Sequence, residues 1–326
     1  PKGRPEMIAA ADTWERPQRE LPDYVAVADD ELEFRRGTDD FDRSVQPPAG
    51  ENPAVVLPEI TRDSLDNGVK VLAALNAETP TAAIQLRIEA GQRNESLEQL
   101  GLATLTAAMM NEATLQSTNE EISNELQKLG SSVQFAGGNQ NTTLTIRSLS
   151  KNLDRTLEIA AERLLQPKFD PADFDRVKAQ TLEGIRQVKT QAAAIADVAY
   201  QMVIYGGNNS FSYLNAGTEE SVAGLTLDDV RKFYAAHYAP QVASIIAVSD
   251  LPQAELIGKL SVFEEWQGEA TPAPSLAAFP ELDGTKIYLV DKPGAAQSEI
   301  RIGKPSMTYD ATGEYYRAYL MNFALG

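Results

Sequence analysis

The chain has 326 residues, with 29 Lys and Arg against 47 Asp and Glu, a net charge of −18, one His and no Cys. So acidic a surface repels phosphate, which argues against nucleic-acid binding and against attachment to anionic lipid. The lack of Cys rules out disulfides, thiolate nucleophiles and Cys-ligated zinc, and the single His, His237, rules out any two-His metal site within the chain.

A composition of 43% apolar and 23% charged residues is that of a globular protein long enough for two domains. The apolar runs are short, the longest near Ser244–Val248, so no membrane span is expected. The chain opens at Pro1, with neither Met nor a basic and apolar leader, and is expected to be a fragment of a longer protein.

Residues 1–52 hold Pro1, Pro5, Pro17, Pro22, Pro47 and Pro48, more acidic than basic residues, and no sustained period. They read as an acidic, Pro-rich linker or strap, with Trp14, Tyr24 and Phe34 as anchors. A folded domain is expected over 53–268. Asn67–Gly68 marks a turn between short strands, followed by strands at Val69–Leu75 and Ala82–Ala90. In the second, Ile84, Leu86 and Ile88 alternate with Gln85, Arg87 and Glu89, so one face is buried. Leu97–Ala113 reads as a buried helix, and Thr118 with Glu121 forms a capping box for the next, which Gly130 stops.

Val133–Ala136 and Thr142–Leu149 read as a hairpin around Gly137–Gly138–Asn139. Asn152–Leu165 reads as an amphipathic helix with Leu153, Leu157, Ala160, Ala161 and Leu164 on one stripe. Asp170–Pro171 opens a long helix to about Thr190, and a further helix spans Ala192–Tyr205. After a Gly/Asn/Ser loop at Gly206–Ser212, Thr226 caps a helix that ends at His237. A strand at Ala243–Val248 and a helix at Pro252–Leu260 complete the domain. Residues 269–280, rich in Ala and Pro, read as a linker. Residues 281–326 read as the start of a second domain, cut off within an element, with Ile287–Val290 and Glu299–Ile302 pairing as strands and a helix from about Gly313. The expected fold is α+β: an antiparallel sheet packed by helices on one face, with a second similar domain truncated.

Several short motifs appear in a shared order. They are Leu65-Asp66-Asn67-Gly68-Val69, Ile84–Glu95 ending in Ala90-Gly91-Gln92-Arg93-Asn94-Glu95, Gly101-Leu102-Ala103, and Pro167-Lys168-Phe169. Leu225 to Pro240, with Phe233-Tyr234 and Tyr238-Ala239-Pro240, and Pro293-Gly294-Ala295-Ala296-Gln297-Ser298 complete the series. In this order they resemble the pitrilysin/insulinase family of zinc metallopeptidases. The resemblance implies a clamshell of two similar halves, each with two α+β domains, of which one half carries zinc. In that half a His-x-x-Glu-His helix supplies two zinc ligands and a general base, and a distal Glu supplies the third ligand.

Aligned on Gly101-Leu102-Ala103, Thr104 and Ala108 fall at the two His positions, Ala107 at the base, and Gly184 at the distal Glu, with Glu183 beside it. Ala has no lone pair and a Thr hydroxyl is a poor zinc ligand. The resemblance therefore implies a degenerate, non-catalytic half with no cofactor of its own, zinc being expected in a catalytic half within the same parent chain or a partner subunit. It also implies a peptide substrate, a role in shaping the closed chamber, and peptide selection by size and edge-strand pairing. An Arg and a Tyr that such a half often contributes to the site would lie beyond Gly326. The compartment is not fixed by the sequence, a bacterial periplasm being favoured.

Two alternatives remain: a purely structural or assembly subunit with a protease-like fold, marked by a large apolar docking surface, and an independent enzyme using His237 with a nucleophile and a carboxylate. Against the latter, His237 is explained by its place at a helix C-terminus. Glu120, Glu121, Asp228 and Asp229 are explained by capping, Glu183 by a solvated or paired helix face, Met109–Met110 by core packing, and Gly137–Gly138–Asn139 by a hairpin turn rather than a phosphate loop. Gly206–Asn209 reads equally as a linker and as a mobile loop over a chamber.

Overall fold

In the computed structural model, residues 58–324 are described apart from 282, 283, 311 and 312, together with residues 42, 44–46, 48, 50 and 51. The chain divides into two units, Pro1–Val55 and Val56–Gly326. The strap expected over residues 1–52 lies almost wholly outside the described residues. The second unit carries all the regular structure among them.

Six strands form one sheet: β1 (Ile60–Ser64), β2 (Lys70–Leu75), β3 (Thr81–Ile88), β4 (Ser132–Gly137), β5 (Thr142–Leu149) and β6 (Ala243–Ser249). Their order is β1-β2-β6-β3-β5-β4. The Asn67-Gly68 turn joins β1 to β2, with Gly68 at φ 90, a value that favours glycine. Along β3, Ala82, Ile84, Leu86 and Ile88 are buried while Thr81, Ala83, Gln85 and Arg87 are exposed, as the period of two requires.

The sheet corrects one expectation. It is mixed rather than antiparallel, because β6 runs parallel to β2, with Val71 opposite Ile245 and Ala73 opposite Ala247. A parallel neighbour needs a long crossover. Here it is the whole run from β3 to β6, which returns to insert β6 between β2 and β3. Such a pairing over more than 150 residues of chain leaves no local sequence signal.

α-Helices make up much of the remaining structure, some of them packed on one face of the sheet. They are α1 (Leu102–Met109), α2 (Asn119–Leu129), α3 (Leu153–Leu165), α4 (Pro171–Val188), α5 (Ala192–Tyr205), α6 (Glu219–Gly224), α7 (Leu227–His237), α8 (Gln253–Leu260) and α9 (Glu314–Phe323). Several helices start at side-chain caps. The Glu121 N–H donates to Thr118 Oγ1 at 3.2 Å while the Thr118 N–H donates to Glu121 Oε2 at 2.9 Å. Thr226 and Asp229 make the same reciprocal pair at 3.2 and 2.8 Å. Asp170 Oδ1 accepts from the Ala172 N–H at 2.9 Å, with Pro171 in the first turn. The core lies between helices and sheet, with Leu86, Ile88, Leu105, Leu144, Ile146 and Leu157 fully buried.

The helix expected over Leu97–Ala113 is shorter. A 3-10 turn at Leu97–Gln99 precedes α1, and Gly101, at φ 94, breaks the run between them. The other difference lies near the end of the chain. Residues 287–290 and 299–302 lie in neither helix nor strand and form no ladder. Ile287, Leu289 and Ile302 are 92%, 95% and 94% exposed. Alternation makes a strand only where backbone partners exist, and neither segment has any among the described residues. The second segment is tied to α5 by an ion pair between Arg301 Nε and Asp197 Oδ1 at 2.5 Å.

Candidate functional site

Helix α1 carries the motif positions and packs against β4, α4 and α7. Its start is set by a buried carboxylate. Glu95 Oε2 accepts from the Gly101 N–H at 3.0 Å and Oε1 from the Ala103 N–H at 2.6 Å, meeting two of the donors that a helix N-terminus leaves free. Burial pushes the Glu95 carboxyl up to about 8, against the downward pull of those two N–H groups.

The loop after α5 is fastened to this helix start. A Cβ on Gly101 would stand 2.4 Å from the Ala216 carbonyl oxygen, and one on Gly217 would stand 2.2 Å from that of Leu100. The two glycines therefore permit a backbone crossing that no other residue allows. Ser221 Oγ donates to the Leu100 carbonyl at 2.8 Å. The Gln92 side-chain NH2 reaches the carbonyls of Ser210, Tyr213 and Leu214 at 2.9, 3.1 and 3.2 Å. Asn209, Ser210 and Ser212 are buried. Of the two readings of Gly206–Asn209, the pinned connection fits this geometry better than a swinging loop.

Thr104 lies one turn into α1, and its Oγ1 donates to the Asn215 carbonyl at 2.7 Å. Its hydroxyl serves as a further staple for the same loop. A Cβ on Gly137 would lie 2.7 Å from Thr104 Cα, so the end of β4 presses directly on the helix. Ala107 is fully buried in the core and Ala108 partly buried against it. Gly184 is exposed on α4, with open space where a side chain would project. Glu183 points to solvent, its side chain 77% exposed, and pairs with Arg186 at 3.7 Å. Among the described residues, no group of three or more His, Cys, Asp or Glu side chains is placed to hold a metal ion. A Thr hydroxyl already in use, two Ala methyl groups and a Gly are not a donor set for zinc.

The other candidates are accounted for locally. His237 ends α7, packs on the Phe233 ring at 4.7 Å, and has Nδ1 3.3 Å from Asn94 Nδ2. Burial lowers its pKa, partly offset by its contact with the Thr271 backbone. These neighbours supply neither a nucleophile nor a carboxylate. Asp228 pairs with Lys232 at 2.7 Å, Glu120 stands exposed in the first turn of α2, and Met109 and Met110 are core residues. At Gly137–Gly138–Asn139 the carbonyls of Gly138 and Asn139 accept from the Gln92 and Arg93 N–H groups at 3.0 and 2.8 Å. A phosphate needs donors, and this turn presents acceptors.

Four buried or half-buried polar residues carry more of this region than the sequence suggested: Gln92, Glu95, Asn111 and Arg163. Arg163 sits within the apolar stripe of α3, where a charge is out of pattern. That was the one signal for it, since buried Arg is rare unless it is hydrogen-bonded. Its Nη1 donates to the Val133 carbonyl and its Nη2 to the Asn111 carbonyl, both at 2.7 Å.

The model of the insulinase family, "Insulinase (Peptidase family M16)", matches residues 70–211, and the companion model, "Peptidase M16 inactive domain", matches residues 224–326. The chain is 22% identical over 251 residues to a probable mitochondrial-processing peptidase subunit beta of Arabidopsis thaliana, covering 74% of this chain and 46% of that protein. It is 23% identical over 260 residues to the "Non-peptidase homolog YmxG" of Helicobacter pylori, covering 79% of this chain and 59% of that one. The crystal structure of a peptidase M16 inactive domain from Pseudomonas fluorescens superposes with a TM-score of 0.63 at 24% identity, over 67% of this chain and 54% of that one. This chain thus spans about half the length of the curated relatives it matches. With the two family models together spanning most of the sequence and the fold agreeing, the chain belongs to the insulinase-type M16 peptidase family.

Proposed function

We propose that this chain is the non-catalytic half of an insulinase-type zinc metalloendopeptidase. It closes the chamber and helps hold an unfolded peptide, while zinc and the general base come from a catalytic half in the same parent chain or in a partner subunit. The observation that carries this reading is the content of α1. Where a catalytic half needs His, Glu and His, this helix has Thr104, Ala107 and Ala108, and the Thr104 hydroxyl is spent on Asn215. Neither Ala takes a proton or donates a lone pair, so no water is activated here. At the distal position, Gly184 contributes no ligand and Glu183 faces solvent. The Helicobacter pylori relative described as a non-peptidase homologue supports a non-catalytic role within this family.

Within this reading, residues 53–268 form the degenerate domain, 269–280 the linker and 281–326 the opening of a second domain of the same kind. The test is the zinc content of the purified chain after dialysis against dilute zinc, with cleavage of an unfolded peptide measured in parallel. A stoichiometry near zero and no cleavage are expected. One tightly bound zinc per chain, or cleavage by the isolated chain, overturns the reading.

A further inference from the structure

A sheet offers a peptide its outermost strands, because only these have backbone N–H and C=O groups with no ladder partner. In this sheet the outermost strands are β1 and β4. β4 is the one against the motif helix, since α1 packs on it and Gly137 touches Thr104. An extended peptide that reached the motif helix by adding a strand would pair with β4.

That edge is already occupied. Asn111 follows the end of α1, and its side-chain amide faces Phe135 in the middle of β4. The Phe135 N–H donates to Asn111 Oδ1 at 2.8 Å, and Asn111 Nδ2 donates back to the Phe135 carbonyl at 2.9 Å. Two residues in a hydrogen-bonded antiparallel pair exchange this same couple of bonds. Since both Phe135 groups turn outward to Asn111, the ladder to β5 runs through Ser132, Gln134 and Ala136, and the outward-facing residues of β4 are Val133, Phe135 and Gly137.

The other two outward positions are engaged as well. The Val133 carbonyl accepts from Arg163 Nη1 at 2.7 Å, and Gly137 lies under α1. Arg163, only 5% exposed, also donates to the Asn111 backbone carbonyl at 2.7 Å, and Asn111 Nδ2 lies 3.2 Å from the Ala107 carbonyl. The lock is thus tied to α3 on one side and to α1 on the other.

We propose that Asn111, held by Arg163, acts as a built-in substitute for an added strand, so that this half does not take an extended peptide on the β4 edge. The inference rests on the non-catalytic reading above and narrows it. The chain contributes chamber wall, and any peptide contact it makes lies elsewhere than beside its motif helix. To displace the lock, an incoming peptide must strip both Phe135 groups of satisfied hydrogen bonds and compete with the buried Arg163 for the Val133 carbonyl, which is unfavourable on each count.

The test is amide hydrogen exchange of the full chain, with and without a soluble Lys-flanked peptide of alternating Thr and Val. In the wild type, the peptide is expected to leave exchange at Val133, Phe135 and Gly137 unchanged. Asn111→Leu, which keeps volume but removes both bonds, is expected to speed exchange at Phe135 by about tenfold or more, and the peptide then slows it again. Peptide-induced protection of these amides in the wild type overturns the proposal, as does unchanged Phe135 exchange in the folded variant. Should the variant fail to fold, the wild-type arm alone decides. Zinc content is read separately, so a failure here leaves the non-catalytic reading standing, and a bound zinc overturns that reading whatever the exchange shows.

Discussion

Strand β3 and the short runs 287–290 and 299–302 are all rich in strand-forming apolar residues and have opposite fates. In β3, Ile84, Leu86 and Ile88 are buried, and residues 82–88 have ladder neighbours on both sides, in β6 and in β5. In the later runs, Ile287, Leu289 and Ile302 are almost fully exposed and no ladder forms. Strand-forming composition is therefore a demand for a partner, and only the first region meets it within the described residues. The domain around β3 is a closed piece of structure, whereas residues 285–303 present a surface still asking to be covered.

The largest effect that separates the two regions concerns charge burial inside the closed one. Glu95 has its carboxyl raised to about 8 in the folded chain from a usual value of 4.5. The folded state then holds its proton more tightly than the unfolded state, so this contribution is fully present below pH 4.5 and is lost as pH rises through about 8. Across that window the difference is on the order of a few kcal/mol. Thermal melts from pH 5 to pH 8 are expected to show a falling midpoint, and Glu95→Gln to flatten that slope while lowering the acid-side value, because one helix N–H loses its acceptor. A slope identical in both proteins would remove Glu95 as the cause.

Next in size is a direct contrast of the regions. Leu144→Ala on β5 empties a fully buried site and is expected to cost about 3 kcal/mol. Leu289→Ala, at a side chain 95% exposed, is expected to change stability by less than about 0.5 kcal/mol in this chain. Urea denaturation measures both. If Leu289→Ala were as costly as Leu144→Ala, the later segment would be packed in solution and the contrast would collapse.

The sequence made the closed region legible where the cause is local. Thr118 with Glu121, Thr226 with Asp229, Asp170 with Pro171, and the period of two in β3 each act over a few residues, and each recurs in the structure. What was not legible depends on residues far apart. The parallel pairing of β6 with β2 is set by a return of the chain, and Asn111 looked like one more residue of a helix because its partner, Phe135, lies on another element. Arg163 could be noticed as a charge within an apolar stripe, but its acceptors are carbonyls, which no residue pattern reports. For the motif helix, the sequence identified which side chains are missing. The structure adds what the remaining ones do instead: Thr104 and Gln92 hold a loop, Glu95 caps a helix, and Asn111 closes a sheet edge.

The crossing of α1 by the loop at Gly217 gives a smaller and more local effect. Gly217 has φ 82, a region that favours glycine, and a Cβ there would stand 2.2 Å from the Leu100 carbonyl oxygen. Gly217→Ala is expected to cost about 2 kcal/mol through strain and displacement together. The cost should be accompanied by faster exchange at the backbone amides of the loop that Gln92 and Thr104 hold, from Ser210 to Gly217. Gly224→Ala, where nothing lies within 4 Å of the added methyl group, is the matched control and should be close to neutral.

The smallest effect tests whether the caps are as local as their sequence signature implies. Thr226 is the N-cap of α7, and its hydroxyl accepts from the Asp229 N–H while Asp229 returns a bond to the Thr226 N–H. Thr226→Ala removes one half of that exchange and is expected to cost about 1 kcal/mol. Helix α7 packs on α1, so a cap that merely starts a helix and a cap that also positions α1 make different predictions. In the first case chemical denaturation shifts while exchange at the Phe135 amide, held by Asn111, stays as in the wild type. In the second case Phe135 loses protection as well, because a shift of α7 would be passed through α1 to the edge of β4. The separation of Thr226 from Phe135 by two intervening elements, each well packed, favours the first outcome, and a change at Phe135 would show that α1 and its neighbours move as one body.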